Sequence, residues 1–177
     1  MTIKLIDDLT KPEGALMFEP DVTMENAIKF SRFDNDNLLA TTENYPIELE
    51  GRQWKSAEHY YQHGIAGNKL TCDKIDASEH ARDAYAINKP WYRYKRKGWK
   101  NLRRTLMTRA LYIKVQMYPE VREYLLGTGD EKIIETSAYD HYWGIGRDQR
   151  GDNMLGQVWM DIRNKLRETE KQSSDDE

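Results

Sequence analysis

"WKNLRRTLMTRALYIKVQM", Trp99 to Met117, decides the fold class. Trp99, Leu102, Leu106, Ala110, Ile113 and Met117 recur at spacings of three and four, which lines them along one face of a helix. Pro119 ends the run, since proline offers no backbone N–H to continue it. "PEVREYLLGTG" then reads as a short helix with Pro119 in its first turn and Gly127 as its stop. Further on, Leu155, Val158, Trp159, Ile162 and Leu166 give another amphipathic helix from Met154 to Arg167, with Asn153 placed as its cap. Strand signals are few. "AIKFSRF" around Phe30 suits a short buried strand, and "YPIELEGRQW" alternates Ile47, Leu49 and Trp54 around a Glu50-Gly51 turn, the pattern of a small hairpin. The expected fold class is therefore mainly α with a small β-hairpin element.

The chain has 177 residues, a length that suits one domain with a substantial core. Residues 1–167 are read as that domain, and "RETEKQSSDDE" at the end, without an apolar stripe, as a frayed, solvated acidic tail over 168–177. Cys72 is the single cysteine, so no internal disulfide forms within the chain, and a reducing cytoplasm is the natural compartment. Met1 to Thr10 mixes Lys4, Asp7 and Asp8 with apolar residues, unlike a secretory signal, and no long apolar run follows. Net charge is only −3, yet residues 84–119 contain no acid among Lys89, Arg93, Lys95, Arg96, Lys97, Lys100, Arg103, Arg104, Arg109 and Lys114. A local positive field should result.

Three stretches carry chemistry. In "WKSAEHYYQHG", Trp54 to Gly64, Ser56 reads as a helix cap and Glu58 falls in the first turn, where unpaired N–H groups favour an ionised carboxylate. That suits an anion facing developing positive charge, and it equally suits plain complementation of the helix dipole. His59 and His63 share metal-ligand spacing, but no third ligand accompanies them, so no metal is expected. Tyr60 and Tyr61 suit core, rim or base-stacking positions. In "SAYDHYWGIGRDQRGDNMLG", Ser137 to Gly156, Gly144, Gly146 and Gly151 lead into a capped helix beside Arg147 and Arg150. Such a loop can aim amides and guanidinium groups at phosphate, or be a surface loop. Asp140 and Trp143 stand at its entrance as a second carboxylate and a flat ring. Last, "NKPWYRYKRKGWKNLRR" interleaves Trp91, Tyr92, Tyr94 and Trp99 with cations, a composition for stacking bases and neutralising phosphate, or for a solvated helix entry.

Taken together, "W-x-S-x-E-H-Y-Y-Q", "R-K-G-W" from Arg96, "LLGTG", and "D-H-Y-W-G-x-G" with "G-D-N-M-L-G" resemble the YbiA-like or NADAR family, from about Phe30 to Leu166. The resemblance implies a compact, mostly helical N-glycosidase that cleaves a ribose–base C–N bond, in phosphoribosylamino intermediates of riboflavin synthesis or in ADP-ribose attached to guanine in nucleic acid. It makes Glu58 and Asp140 the catalytic candidates. Substrate contacts are then expected from Ser31, Arg32, Trp54, His59, Tyr60, Tyr61, Gln62, Arg96, Trp99, Trp143, Gly144, Gly146, Arg147, Arg150 and Asn153. In this reading Glu58 stabilises the sugar cation or orients water, Asp140 assists as base or holds a ribose hydroxyl, and neither metal nor organic cofactor is needed. The alternatives are a nucleotide-binding module without turnover and a nucleic-acid-binding protein. Three departures stand out: Ile65 and Ala66 where relatives carry lysine and an aromatic, Arg32 where Phe-Ser-Asn-Phe is common, and Asn88-Lys89 for Gly-Arg.

Overall fold

The computed structural model describes residues 26–42 and 44–175. The Met1–Thr10 stretch, and the last two residues of the expected tail, lie outside the described residues. The chain runs β1 (Ile28–Phe30), β2 (Ile47–Leu49), β3 (Arg52–Trp54), α1 (Ala57–Ile65), α2 (Lys69–Ala77), α3 (Ala81–Asn88), α4 (Trp99–Met117), α5 (Pro119–Gly127), β4 (Ile133–Glu135) and α6 (Met154–Asp175). Helices dominate, as the apolar periodicity requires. Among the described residues no helix is long and apolar enough to cross a membrane.

The hairpin forms where it was expected. β2 and β3 pair antiparallel, Ile47 opposite Trp54. Glu50 and Gly51 both have positive φ, 58° and 71°, the twist that a two-residue hairpin turn needs. The strand at Phe30 also forms, but it pairs in parallel with β4, Ile28 beside Ile133 and Phe30 beside Glu135. That partner is only three residues long and fully buried, so it carries no alternation by which the sequence could announce it.

Helix α4 is the axle on which α1, α5, α6 and β2 pack. Its buried stripe is Leu106, Met107, Ala110, Leu111, Lys114 and Val115. The face read from the sequence was therefore turned too far: Met117 is exposed, and Trp99, Leu102 and Ile113 are half-buried. The reason is Lys114, a cation counted as solvent-facing but buried at the centre. Facing α4, helix α6 buries Leu155, Val158, Trp159, Ile162 and Leu166 as expected, each large aliphatic contributing about 1.5–3 kcal/mol. It does not stop at Arg167. The helix continues to Asp175, through most of the segment expected to be frayed, with Arg167 bonded to Asp130 and Arg122 to Glu170. Gly127 likewise is not the left-handed stop of α5; that conformation belongs to Gly129, φ 56°.

Lys114 and Trp159 fasten an irregular loop to this core. Lys114 Nζ donates to the carbonyls of Leu38 and Ala40 at 2.8 Å each, and Trp159 Nε1 donates to Leu39 O at 2.9 Å. Burial pushes the Lys114 ammonium down to about 7. Lys114→Met leaves two buried carbonyls without this donor, and urea denaturation should show a loss of about 1–3 kcal/mol. Because the unfolded lysine keeps its proton to a higher pH, the unfolded state binds more protons between about pH 7 and pH 10. The wild type should therefore gain stability relative to Lys114→Met as pH rises through that window.

Candidate active site

The β1–β4 pairing sets the site. Arg32 lies two residues beyond the end of β1; its N–H donates to Glu135 Oε1 at 2.9 Å and its carbonyl accepts from Thr41 N at 2.9 Å. The side chain is thereby turned inward and is only 2% exposed. Its Nε and Nη2 donate to the two oxygens of Glu58 at 3.0 and 2.7 Å, a bidentate pair, while Nη1 reaches Asp140 Oδ2 at 3.3 Å. Rings of Phe33, Tyr61, Tyr85 and Trp143 surround the guanidinium, with centroids 5.2–5.6 Å away. Burial, the largest single influence, would lower its pKa, but the charge and hydrogen bond of Glu58 together with Tyr61 and Asp140 outweigh it and the net shift is upward.

Glu58 occupies the first turn of α1 as read from the sequence. Ser56 is the cap, its hydroxyl accepting from His59 N, and the Glu58 N–H is bonded to Thr41 O at 3.1 Å. The carboxylate, however, is 0% exposed and does not line the cleft. Besides Arg32 it accepts from Thr41 Oγ1 at 2.8 Å and Gln62 Nε2 at 2.7 Å. Its lone pairs are committed. A carboxylate so enclosed does not line the cleft itself; its bonds hold Arg32 and Gln62.

From Gln62 the network continues. Gln62 Oε1 accepts from Asn88 Nδ2 at 3.0 Å, and Asn88 Oδ1 accepts from Lys95 Nζ at 2.6 Å. Burial, reinforced by Arg93, pushes Lys95 down to about 8. Lys95 comes from the segment joining α3 to α4, which an antiparallel bridge between Ala66 and Lys95 ties to the end of α1. Flanking bonds, Arg96 N to Ile65 O at 3.1 Å and Gly67 N to Tyr94 O at 3.0 Å, complete that tie.

Above this floor lies a cleft of about 210 Å³. Arg32, Lys89, Lys95 and Arg103 are its cations, Asp140 its carboxylate, and Tyr61, Tyr85, Trp99, Tyr142 and Trp143 its rings. Asp140 is the acid that reaches it, 24% exposed, with Oδ1 fixed by the amides of Tyr142 and Trp143 at 3.1 and 2.8 Å. Tyr61 and Trp143 meet edge to face at 5.3 Å. Burial raises the Tyr61 phenol well above its usual range, so it stays protonated.

Of the expected contacts, Arg32, Tyr61, Gln62, Trp99, Asp140 and Trp143 converge on this cleft. Trp54, Tyr60 and Arg96 do not: they line a separate hollow of about 520 Å³ together with His63. His59 is buried with Nδ1 2.8 Å from Ser56 Oγ, and Ser31 accepts from Asp34 N through its carbonyl. Arg147 and Arg150 are exposed and outside the cleft wall. The glycines of their loop serve close packing. A Cβ on Gly144 would strike Glu135 Oε2, and one on Gly146 the His141 ring. Asn153, rather than capping α6 with its side chain, joins β4 by accepting from Glu135 N and donating to Ile133 O, both at 2.9 Å. Sequence reasoning missed Tyr85, Asn88, Lys89, Lys95, Arg103 and Tyr142 as site residues. The acid-free run had flagged three of them as cations, but nothing in it told an inward lysine from an outward one.

The chain belongs to the NADAR domain family, which it matches over residues 19–167. Among proteins of known name it is 32% identical over 124 residues to "N-glycosidase Npun_R5314" of Nostoc punctiforme, covering 68% of this chain and 80% of that one. It is 28% identical over 139 residues to "N-glycosidase YbiA" of Escherichia coli, covering 73% and 87%. The NMR structure of E. coli YbiA superposes with a TM-score of 0.73, covering 81% of this chain and 86% of that chain. "Riboflavin biosynthesis protein VVA0006" of Vibrio vulnificus is 32% identical over 146 residues, 82% of this chain but 40% of that protein.

Breaking the buried pair should be costly. Glu58→Gln leaves the Arg32 guanidinium without its counter-charge, and chemical denaturation should report a loss of about 3–5 kcal/mol. The Arg32→Met/Glu58→Met double variant should be more stable than either single one. If Glu58→Gln melts like the wild type, the pair does not hold the site together.

Proposed function

We propose that the chain is an N-glycosidase that hydrolyses the C–N bond between a (phospho)ribose and a base or amine in the Asp140 cleft. The observation that carries this is a single, partly exposed carboxylate set in a cleft lined mainly by cations and aromatic rings. Breaking a glycosidic C–N bond leaves positive charge on the ribose and negative charge on the departing base. Asp140, held in place by two backbone amides and Arg32, faces the sugar and stabilises the oxocarbenium-like transition state. Water then adds to C1′ on the side of Asp140, which accepts its proton. Lys89, Lys95 and Arg103 hold the phosphate, and Tyr85, Trp99 and Trp143 flank the base. Ile65 lines the cleft with an apolar side chain, so the catalytic groups of this reading are those just named. The names of the relatives from Nostoc and E. coli support the reaction class. The lone cysteine Cys72, half-buried, fits a reducing cytoplasm.

The test is base release from phosphoribosylamino pyrimidines, free nucleotides and ADP-ribosylated DNA. Asp140→Asn should lower turnover about 100-fold or more while leaving the bulk of the core intact. Saturable binding of these compounds without any base release would make the protein a binding module instead.

A second reading has its own observation. Trp91 is 94% exposed, and Tyr92 and Tyr94 are 66% and 64% exposed, on a segment that shares Lys89, Lys95 and Trp99 with the cleft wall. Exposed rings among cations suit single-stranded nucleic acid, with bases stacked and phosphates neutralised. The base cleaved would then belong to a polynucleotide. Reversing Lys97 and Lys100 to glutamate should weaken oligonucleotide binding and flatten its salt dependence, with little change in cleavage of a free nucleotide. Salt-insensitive or absent oligonucleotide binding by the wild type removes this second reading.

A further inference from the structure

The N-glycosidase reading assigns the sugar's positive charge to Asp140 and leaves the base's negative charge without a named partner. Arg32 lines the cleft although almost wholly buried, so what it presents there is one edge rather than a mobile side chain. Two of its nitrogens, Nε and Nη2, are spoken for by Glu58. The third, Nη1, points to Asp140, the group beside the reacting carbon. A guanidinium carries two hydrogens on Nη1, and Asp140 at 3.3 Å engages one of them. Rings on four sides fix the plane and exclude water, which strengthens whatever charge interaction the edge makes.

We propose that Arg32 is a catalytic residue, its Nη1 edge donating to the departing base while Asp140 beside it faces the ribose. The inference rests on the N-glycosidase reading of the site. The step is a heterolysis: the C1′–N electron pair leaves with the base, water supplies hydroxide to C1′, and the water's proton, passed through Asp140, neutralises the base anion. Arg32 itself stays protonated throughout, because Glu58 behind it and Asp140 beside it favour the cation. Opposite charges a hydrogen bond apart thus match the two ends of a bond that separates charge as it breaks. Glu58 is in this scheme a positioning residue that acts through Arg32.

Leaving-group dependence tests the assignment. The substrates are a ribonucleoside 5′-phosphate with a basic, poorly leaving base and p-nitrophenyl riboside 5-phosphate, whose leaving group is stable as an anion unaided. Arg32→Gln should lose about 100- to 1,000-fold on the first and under about 10-fold on the second, the scale for removing one preorganised donor. Arg32→Lys, which keeps the charge, should recover part of the first loss. Because Arg32→Gln strands Glu58, the Arg32→Gln/Glu58→Gln variant, which removes both charges, is measured alongside and should show the same selectivity. Equal losses on both substrates, or none on either, overturn the proposal and leave Arg32 a structural partner of Glu58. If the wild type releases no leaving group from any substrate, the N-glycosidase reading itself fails. Binding of p-nitrophenolate to wild type but not to the double variant then still reads the anion contact, and equal binding to both overturns it.

Discussion

A single buried ion pair organises this molecule's chemistry. Arg32 and Glu58 lie on different elements, one just beyond the first strand and one in the first turn of α1, and neither is accessible enough to be stabilised by water. Each therefore needs the other, and both need the further partners that surround them: Thr41, Gln62, Asp140 and a box of aromatic rings. Removing two charges from water costs several kcal/mol per ion, which only close, fully bonded geometry offsets. The fold supplies that geometry through the parallel strand pair, through Glu135 bonding the Arg32 backbone, and through the Lys114 and Trp159 clamps on the loop leading to Thr41. The site is thus held by groups drawn from most of the chain.

The distribution of charge above the pair follows the same logic. Glu58, the more deeply placed acid, is neutralised, whereas Asp140 at the cleft keeps a solvated face and amide support. One carboxylate is enclosed by its partners and the other reaches the cleft.

Much of the fold was legible in the sequence because helices and a two-residue hairpin write local signals. The apolar spacing in α4 and α6, the Ser56 cap and the Glu50-Gly51 turn are such signals, and all of these elements formed. What failed was what depends on distant partners. Strand β4 is too short to show a period, and its pairing spans about a hundred residues of chain. Lys114 looked solvent-facing because a lysine's burial depends on carbonyls from elsewhere. In the site, residue types identified Glu58 and Asp140 as the notable acids, but not which was sealed. That depended on the position of one guanidinium. Arg147 and Arg150 stand outside the cleft wall, and the neighbouring glycines make room for Glu135 and His141.

The bridge between Ala66 and Lys95 has a bearing on how discrimination is achieved. It ties the Lys95 part of the cleft wall to the end of the helix that supplies Gln62 on the floor. Wherever a wall and floor are joined in this way, fit to the standing shape rejects what is too large far better than what is slightly too small. By that rule, truncated relatives of a compound that fits such a cleft enter more readily than enlarged ones.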